Sequence, residues 1–410
     1  MDHYELHAQL RQLDPSAAVV ALDSGLALHT FEFASRHGVL LPGAGAYVCP
    51  EHGIPLAEHD PVQAGSDPGG GALDVCDAKV RENEVFRYRV MLPAGTERAR
   101  GAILMFHGLN EKDWAKYLPW AHVLASGTGR AVVLFPTAFH MQRAPRAWSE
   151  RHAMHRTAAA RRAAHPAIVA ASLSNVAIST RLHARPQRFF WSGLQTYHDV
   201  ARLVAGIRAG RHPRVAADAQ LDLFGYSIGG LLAQILLMTD PGGMLPDARL
   251  CLFCAGAVFN RMSPVSRFIL DSEADVALYS YVVEHLESHL RDSERLRHHL
   301  GEAHPEGVCF RSMLRYGVMR EPREAQFRRL APRLLGLALA RDTVVPPYEV
   351  TNTLQGAARD IPARVDVLEF DHPYSHEDPF PVIETHRAQV DAAFRRTFAA
   401  AAAFYDAPAR

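Results

Sequence analysis

Residues 221–230 read Leu221-Asp222-Leu223-Phe224-Gly225-Tyr226-Ser227-Ile228-Gly229-Gly230. A short apolar strand runs into Gly225-Tyr226-Ser227-Ile228-Gly229, and an apolar helical stretch from Leu231 to Met238 follows without a spacer. Strand, sharp turn and helix form the context that a G-x-S-x-G nucleophile elbow requires. A turn this tight strains the backbone of its serine, so the residues two before and two after must be small. Gly225 and Gly229 meet that need, and Gly230 lets the helix approach the strand closely. The Ser227 hydroxyl is expected above the carboxyl edge of a sheet, beside the first N–H groups of the helix. A chain with 28 Gly holds such a pentapeptide by chance easily. The weight therefore rests on the flanking elements and on partners elsewhere in the chain.

Outward from the elbow, short apolar runs alternate with helical patterns from about residue 86, the signature of a mostly parallel sheet covered on both faces. The expected strands are Phe86–Met91, Ala102–Phe106, Ala131–Phe135, Leu221–Phe224, Leu250–Cys254, Leu334–Ala340 and Val365–Phe370. The last carries Asp366 and Glu369 and reads as nearer an edge. A closing helix places Val390, Phe394 and Phe398 on one stripe facing the sheet. Three regions break the alternation. Residues 1–85 form an N-terminal extension that includes Gly65-Ser66-Asp67-Pro68-Gly69-Gly70-Gly71-Ala72, a flexible linker or surface loop. Residues 137–192 and 258–330 are helical, lid-like insertions within the domain spanning residues 86–405.

The 410 residues carry no net charge, 48% hydrophobic and 21% charged residues, an ordinary globular composition with no call for a nucleic-acid partner. Nearly all basic residues are Arg, spread along the chain, with Lys only at 79, 112 and 116. No basic segment followed by an apolar run opens the chain, and no stretch is apolar enough to span a membrane, so the cytoplasm is the expected location. Five cysteines occur, and Cys251 and Cys254 sit in an apolar run that suits a buried strand better than a redox or zinc site. The four histidines between His140 and His165 lack carboxylate company and read as an insertion rather than a metal site. Cys49-Pro50-Glu51-His52 is too short a constellation for zinc by itself.

A serine hydroxyl needs a base, a group that orients the base, and donors for a developing oxyanion. The ends of three expected strands offer candidates: His107-Gly108-Leu109-Asn110, then Arg341-Asp342-Thr343-Val344-Val345-Pro346-Pro347, then Phe370-Asp371-His372-Pro373-Tyr374-Ser375-His376-Glu377-Asp378-Pro379. With these pieces in this order, the chain resembles the α/β-hydrolase-fold family over residues 86–405. The resemblance implies Ser227 as nucleophile and Asp342 as the acid. It implies backbone N–H groups of Leu109 and Ile228 as the oxyanion hole. For the base it favours His372, because Glu377 and Pro379 follow five and seven residues later, as in many family members. Asp371 stands where Gly is usual and Pro373 follows directly, which leaves His376 as an alternative.

The implied activity is a serine hydrolase cleaving an ester, thioester or amide of a small-molecule acyl substrate, with no metal or organic cofactor required. Two alternatives stand beside it: acyl transfer to another acceptor by the same triad, and a non-catalytic binding protein on the same fold. The basic stretches Arg156, Arg161 and Arg162, and Arg320, Arg323, Arg328 and Arg329, read as solvated helix faces, with recognition of an anionic substrate group as the sharper reading. Phe189-Phe190-Trp191 reads as core packing, or as the lining of an acyl pocket. The sequence leaves the oligomeric state open.

Overall fold

The computed structural model describes residues 1–58, 73 and 76–407; the stretch Gly65–Ala72 lies outside them. Eleven strands are present among the described residues: β1 (Val19–Ala21), β2 (Leu26–Ala34), β3 (Tyr47–Val48), β4 (Pro55–Leu56), β5 (Val85–Pro93), β6 (Ala99–Phe106), β7 (Ala131–Leu134), β8 (Val215–Tyr226), β9 (Leu250–Phe253), β10 (Leu334–Leu339) and β11 (Arg364–Leu368). Nine of them build one sheet in the order β1-β2-β5-β7-β6-β8-β9-β10-β11, and β3 pairs with β4 in a separate hairpin. Strands β7, β6, β8, β9, β10 and β11 run parallel, while β5, β2 and β1 attach through antiparallel pairings. The protein is thus an α/β protein with a mostly parallel sheet.

The central strands read as unbroken apolar runs because both of their faces are buried. In β6, Leu104 and Phe106 belong to one core and Ile103 and Met105 to the other; in β8, Leu221 and Leu223 face one side and Phe224 and Tyr226 the opposite one. The elbow helix Ile228–Thr239 packs Leu231, Ile235 and Leu236 into the first core. The closing helix Arg387–Asp406 sets Val390, Phe394 and Phe398 into the second, beside Trp120. β11 is the outer strand, as its Asp366 suggested.

Residues 1–58 do not stay outside this sheet. All nine residues of β2 pair with β5, and β1 closes that edge. The first helix, His3–Arg11, begins with a capping box between Asp2 and Glu5. It lies against the closing helix, with the His3 N–H donating to Asp391 at 2.9 Å. Chain from the beginning of the sequence thus completes the sheet that the later segments start.

The stretch 137–192 holds helices Arg151–Ala164 and Val176–Ala184, and the stretch 258–330 holds five, from Ser272–Ser280 to Arg320–Leu330. Arg161 joins the two stretches through a bidentate pair with Asp271 at 2.7 and 2.8 Å, both side chains buried. Arg323 is also buried and donates to the carbonyls of Ser312 and Tyr316. These two arginines correct the solvated-face reading. A helix periodicity shows which face a residue occupies, not that a distant carboxylate or carbonyl will cover it.

Candidate active site

The site starts with a strained turn. β8 ends at Tyr226, the helix begins at Ile228, and Ser227 between them has φ 53° and ψ −127°. Few L-residues adopt that backbone, and it persists only where the surroundings over-determine it. Here they do. A Cβ on Gly225 would lie 2.5 Å from the Gly230 Cα, and one on Gly229 would lie 2.6 Å from the carbonyl oxygens of Phe106 and His107. A Cβ on Gly230 would lie 2.5 Å from Ala255 Cβ. None of the three has positive φ, so glycine serves close approach there, and the positive φ falls on the serine itself.

Ser227 Oγ lies 2.8 Å from His376 Nε2, and His376 Nδ1 lies 2.8 Å from Asp342 Oδ2. All three side chains are buried. A carboxylate only accepts, so Nδ1 carries the hydrogen and Nε2 presents its lone pair to the serine hydroxyl. Asp342 is held by the N–H groups of Val344 and Val345, at 2.9 and 2.8 Å, both donating to Oδ1. That leaves Oδ2 for the imidazole. The Tyr226 hydroxyl donates to the His376 carbonyl, and the two rings stack at 5.5 Å. The residue before Ser227 thus fixes the loop that carries the histidine.

His372, favoured on spacing, is a correction. Its Nε2 donates to the Pro379 carbonyl at 3.0 Å, and its ring stacks on Phe370 at 5.3 Å in the core under the closing helix. Burial pushes its pKa below the ordinary histidine range. A nitrogen committed as donor to a carbonyl cannot take a proton from Ser227. The spacing to Glu377 and Pro379 was real, but Glu377 turns to Ser266 and Pro379 offers its carbonyl to His372.

The turn after β6 sits opposite the serine. Its His107 is fully buried, donates from Nδ1 to the Gly108 carbonyl at 2.8 Å and accepts the Thr137 N–H at Nε2 at 3.0 Å. Burial pushes its pKa down to about 4, so the ring is neutral at physiological pH and shapes the turn. A Cβ on Gly108 would crowd the Tyr226 ring at 3.3 Å. Asn110, with φ 64°, donates to the carbonyls of Ser174 and Phe268 at 3.0 and 2.7 Å, tying both inserted stretches to the turn.

Leu109 and Ile228 line a small pocket together with Ser227. The same two residues form part of the wall of an apolar cavity of about 850 Å³, its mouth included, lined also by Phe139, Ile178, Phe189, Phe190 and Phe310. Phe189 and Phe190 therefore line a cavity, whereas Trp191 is buried in the core. Ser227 also borders a polar cleft lined by Glu111, Lys112, Lys116 and Glu377. Lys116 pairs with Glu111, donates to the Glu377 carbonyl at 3.0 Å and sits 4.8 Å from the Tyr226 ring centre. Tyr226, Asn110 and Lys116 were not singled out from the sequence. The signal was there for the lysines: two of the chain's three fall within five residues of each other, just after the His107 turn.

The family model described as a family of unknown function (DUF6051) matches residues 1–406. The chain belongs to that family. No curated protein matches it. Among solved structures, it is similar to a thermostable esterase from Pseudomonas putida at 12% identity, covering 97% of this chain and 95% of the other with a TM-score of 0.39. It is also similar to carboxyl esterase 2 from the mycorrhizal fungus Tuber melanosporum, at 12% identity, 77% and 79% coverage and a TM-score of 0.43. A cold-adapted esterase from an Arctic intertidal metagenomic library matches at 11% identity, 94% and 99% coverage and a TM-score of 0.34. Among the described residues, no helix is long and apolar enough to cross a membrane.

Proposed function

We propose that the protein is a serine hydrolase of the α/β-hydrolase type that cleaves an ester, thioester or amide through an acyl-enzyme on Ser227. The observation that carries this reading is the continuous hydrogen-bonded chain Ser227–His376–Asp342, with 2.8 Å at each link, built on a strained elbow. As Ser227 Oγ attacks the acyl carbon, its proton passes to His376 Nε2. Asp342 holds the ring in the productive tautomer and stabilises the imidazolium. The N–H groups of Leu109 and Ile228 receive the oxyanion, and His376 then returns the proton to the leaving group. Water attacks the acyl-enzyme by the same route in reverse, releasing the acid and free Ser227.

The cavity lined by phenylalanines next to Leu109 and Ile228 supports an apolar acyl group as the bound half of the substrate. The charged cleft beside Glu111 and Lys116 supports a polar leaving group. The unpaired cysteines of the described residues suit a reducing compartment, and the cytoplasm is part of this reading. The test is a series of p-nitrophenyl esters of increasing acyl length, followed in the pre-steady state. The expected result is a burst of one nitrophenolate per chain, with kcat/KM rising with acyl length and both lost in Ser227→Ala. Equal slow release from wild type and Ser227→Ala across the series would overturn the reading.

A further inference from the structure

A second cluster of ionisable side chains lies outside the machinery just described. Cys49, His52, His298 and His304 present one ligand atom each, all within 4.8 Å of one another. Cys49 and His52 sit on the tip of the β3–β4 hairpin, where the Cys49 N–H donates to the Ile54 carbonyl at 2.9 Å and Gly53 turns the chain at φ 65°. His298 lies on the helix Glu294–Leu300, and His304 is the N-cap residue of the helix Pro305–Ser312. The two pairs are some 250 residues apart, and only the fold brings them together.

Three of the six distances among these atoms are those of a coordination shell. Cys49 Sγ is 3.5 Å from His52 Nδ1 and 3.7 Å from His304 Nε2, and His304 Nε2 is 3.0 Å from His298 Nε2. A tetrahedron with Zn–N of about 2.0–2.1 Å and Zn–S of about 2.3 Å has edges of about 3.3 Å between nitrogens and about 3.6 Å between nitrogen and sulfur. The tautomer agrees. His304 Nδ1 donates to Glu306 Oε1 at 2.9 Å, which leaves Nε2 as a lone pair pointing into the cluster. A carboxylate behind a ligating histidine orients the ring and raises its basicity.

We propose that Cys49, His52, His298 and His304 bind one zinc ion in tetrahedral geometry, with Glu306 supporting His304. One thiolate and three neutral imidazoles suit a borderline-soft divalent ion, and four protein ligands leave no open position, so the site is structural. The ion fastens the β3–β4 hairpin to the wall of the apolar cavity, where Glu306 is also a lining residue. The surrounding contacts bring the ligands near each other beforehand: Arg295 donates to the Ala57 carbonyl at 3.0 Å and stacks 4.6 Å from the Tyr47 ring, and a Cβ on Gly307 would collide with the His299 carbonyl.

The test uses the full chain. Zinc is counted by elemental analysis in purified wild type, then removed with dipicolinate and replaced by titrating Co2+. One zinc per chain is expected, together with tetrahedral d–d bands and a thiolate-to-cobalt charge-transfer band. Cys49→Ala should lose that band, Glu306→Gln should weaken binding about 10–100-fold, and Ser227→Ala should keep all of it. The wild-type titration decides even where a ligand variant does not fold. Less than stoichiometric zinc after equilibration with excess ion, cobalt bound without the charge-transfer band, or cobalt binding unchanged in Cys49→Ala would each overturn the proposal. Its failure leaves the hydrolase reading intact, because no triad residue takes part.

Discussion

The elbow at residues 225–230 and the loop at 370–380 supply adjoining atoms of one hydrogen-bonded chain, yet they hold them by opposite means. At the elbow, backbone packs on backbone. Each of three glycines has a neighbour within 2.6 Å of where a Cβ would stand, so sequence and geometry determine each other over six residues. The loop has no such local rule. His372 and His376 are four residues apart, both buried, and chemically identical. Which one meets Ser227 turns on partners outside the loop: Asp342 and Tyr226 take His376, while His372 is left to the loop's own Phe370 ring and Pro379 carbonyl. Short-range steric requirements can be read from a sequence, and long-range selection between equivalent side chains cannot.

The largest effect that would sharpen this contrast is catalytic. Ser227→Ala and His376→Ala should each lower kcat for an activated ester about 10⁴-fold or more, measured in the steady state. A His376→Ala variant within tenfold of wild type would break the comparison at its centre. Next comes the elbow's steric demand. Gly225→Ala should cost about 1–3 kcal/mol or more in a denaturant titration and reduce activity, since its Cβ meets the backbone of Gly230, which has no side chain to move aside. An unchanged midpoint would show that the turn is looser than its contacts.

The same division explains what was legible. All seven expected strands are present, six of them within three residues at either end while β8 begins six residues early, because buried strands write themselves as apolar runs between helices. Ser227 and Asp342 stand directly at strand ends, where a short turn leaves little freedom. β2 was missed although Leu26, Leu28 and Phe33 are buried in it, because its polar His29, Thr30 and Glu32 weaken the alternation. The Arg161–Asp271 pair and the Cys49–His304 contact join residues 110 and 255 positions apart. No local period encodes a partner at that distance.

A third outcome concerns pH. Burial holds His107 at about 4, below the ordinary 6.5, so the unfolded chain takes up the proton first. Stability should therefore be level above 6.5 and fall as the pH drops towards 4, by about 1.4 kcal/mol per pH unit for this group. Burial also depresses His3, His198 and His212 to about 4, so His107→Gln should make the slope shallower by its own share, without abolishing it, in melting curves recorded at pH 7, 6 and 5. An unchanged slope would mean that His107 does not carry it. The effect of Tyr226→Phe should be smaller. Losing the hydroxyl that anchors the His376 carbonyl should reduce kcat about tenfold while leaving KM nearly unchanged, as expected of a positioning contact worth roughly 1–2 kcal/mol. The smallest change is expected from His372→Ala. It removes ring packing and one hydrogen bond, so the melting temperature should fall while kcat stays within about threefold of wild type. Loss of turnover at full stability would return the base to His372.

The central claim, that Ser227 is an activated nucleophile served by His376, is tested most directly by labelling the purified protein with a fluorophosphonate and reading the intact mass. Wild type and His372→Ala should each gain a single adduct, and Ser227→Ala and His376→Ala should gain none on the same time scale. A folded wild type that gains no adduct, or a Ser227→Ala protein that still gains one, would contradict it.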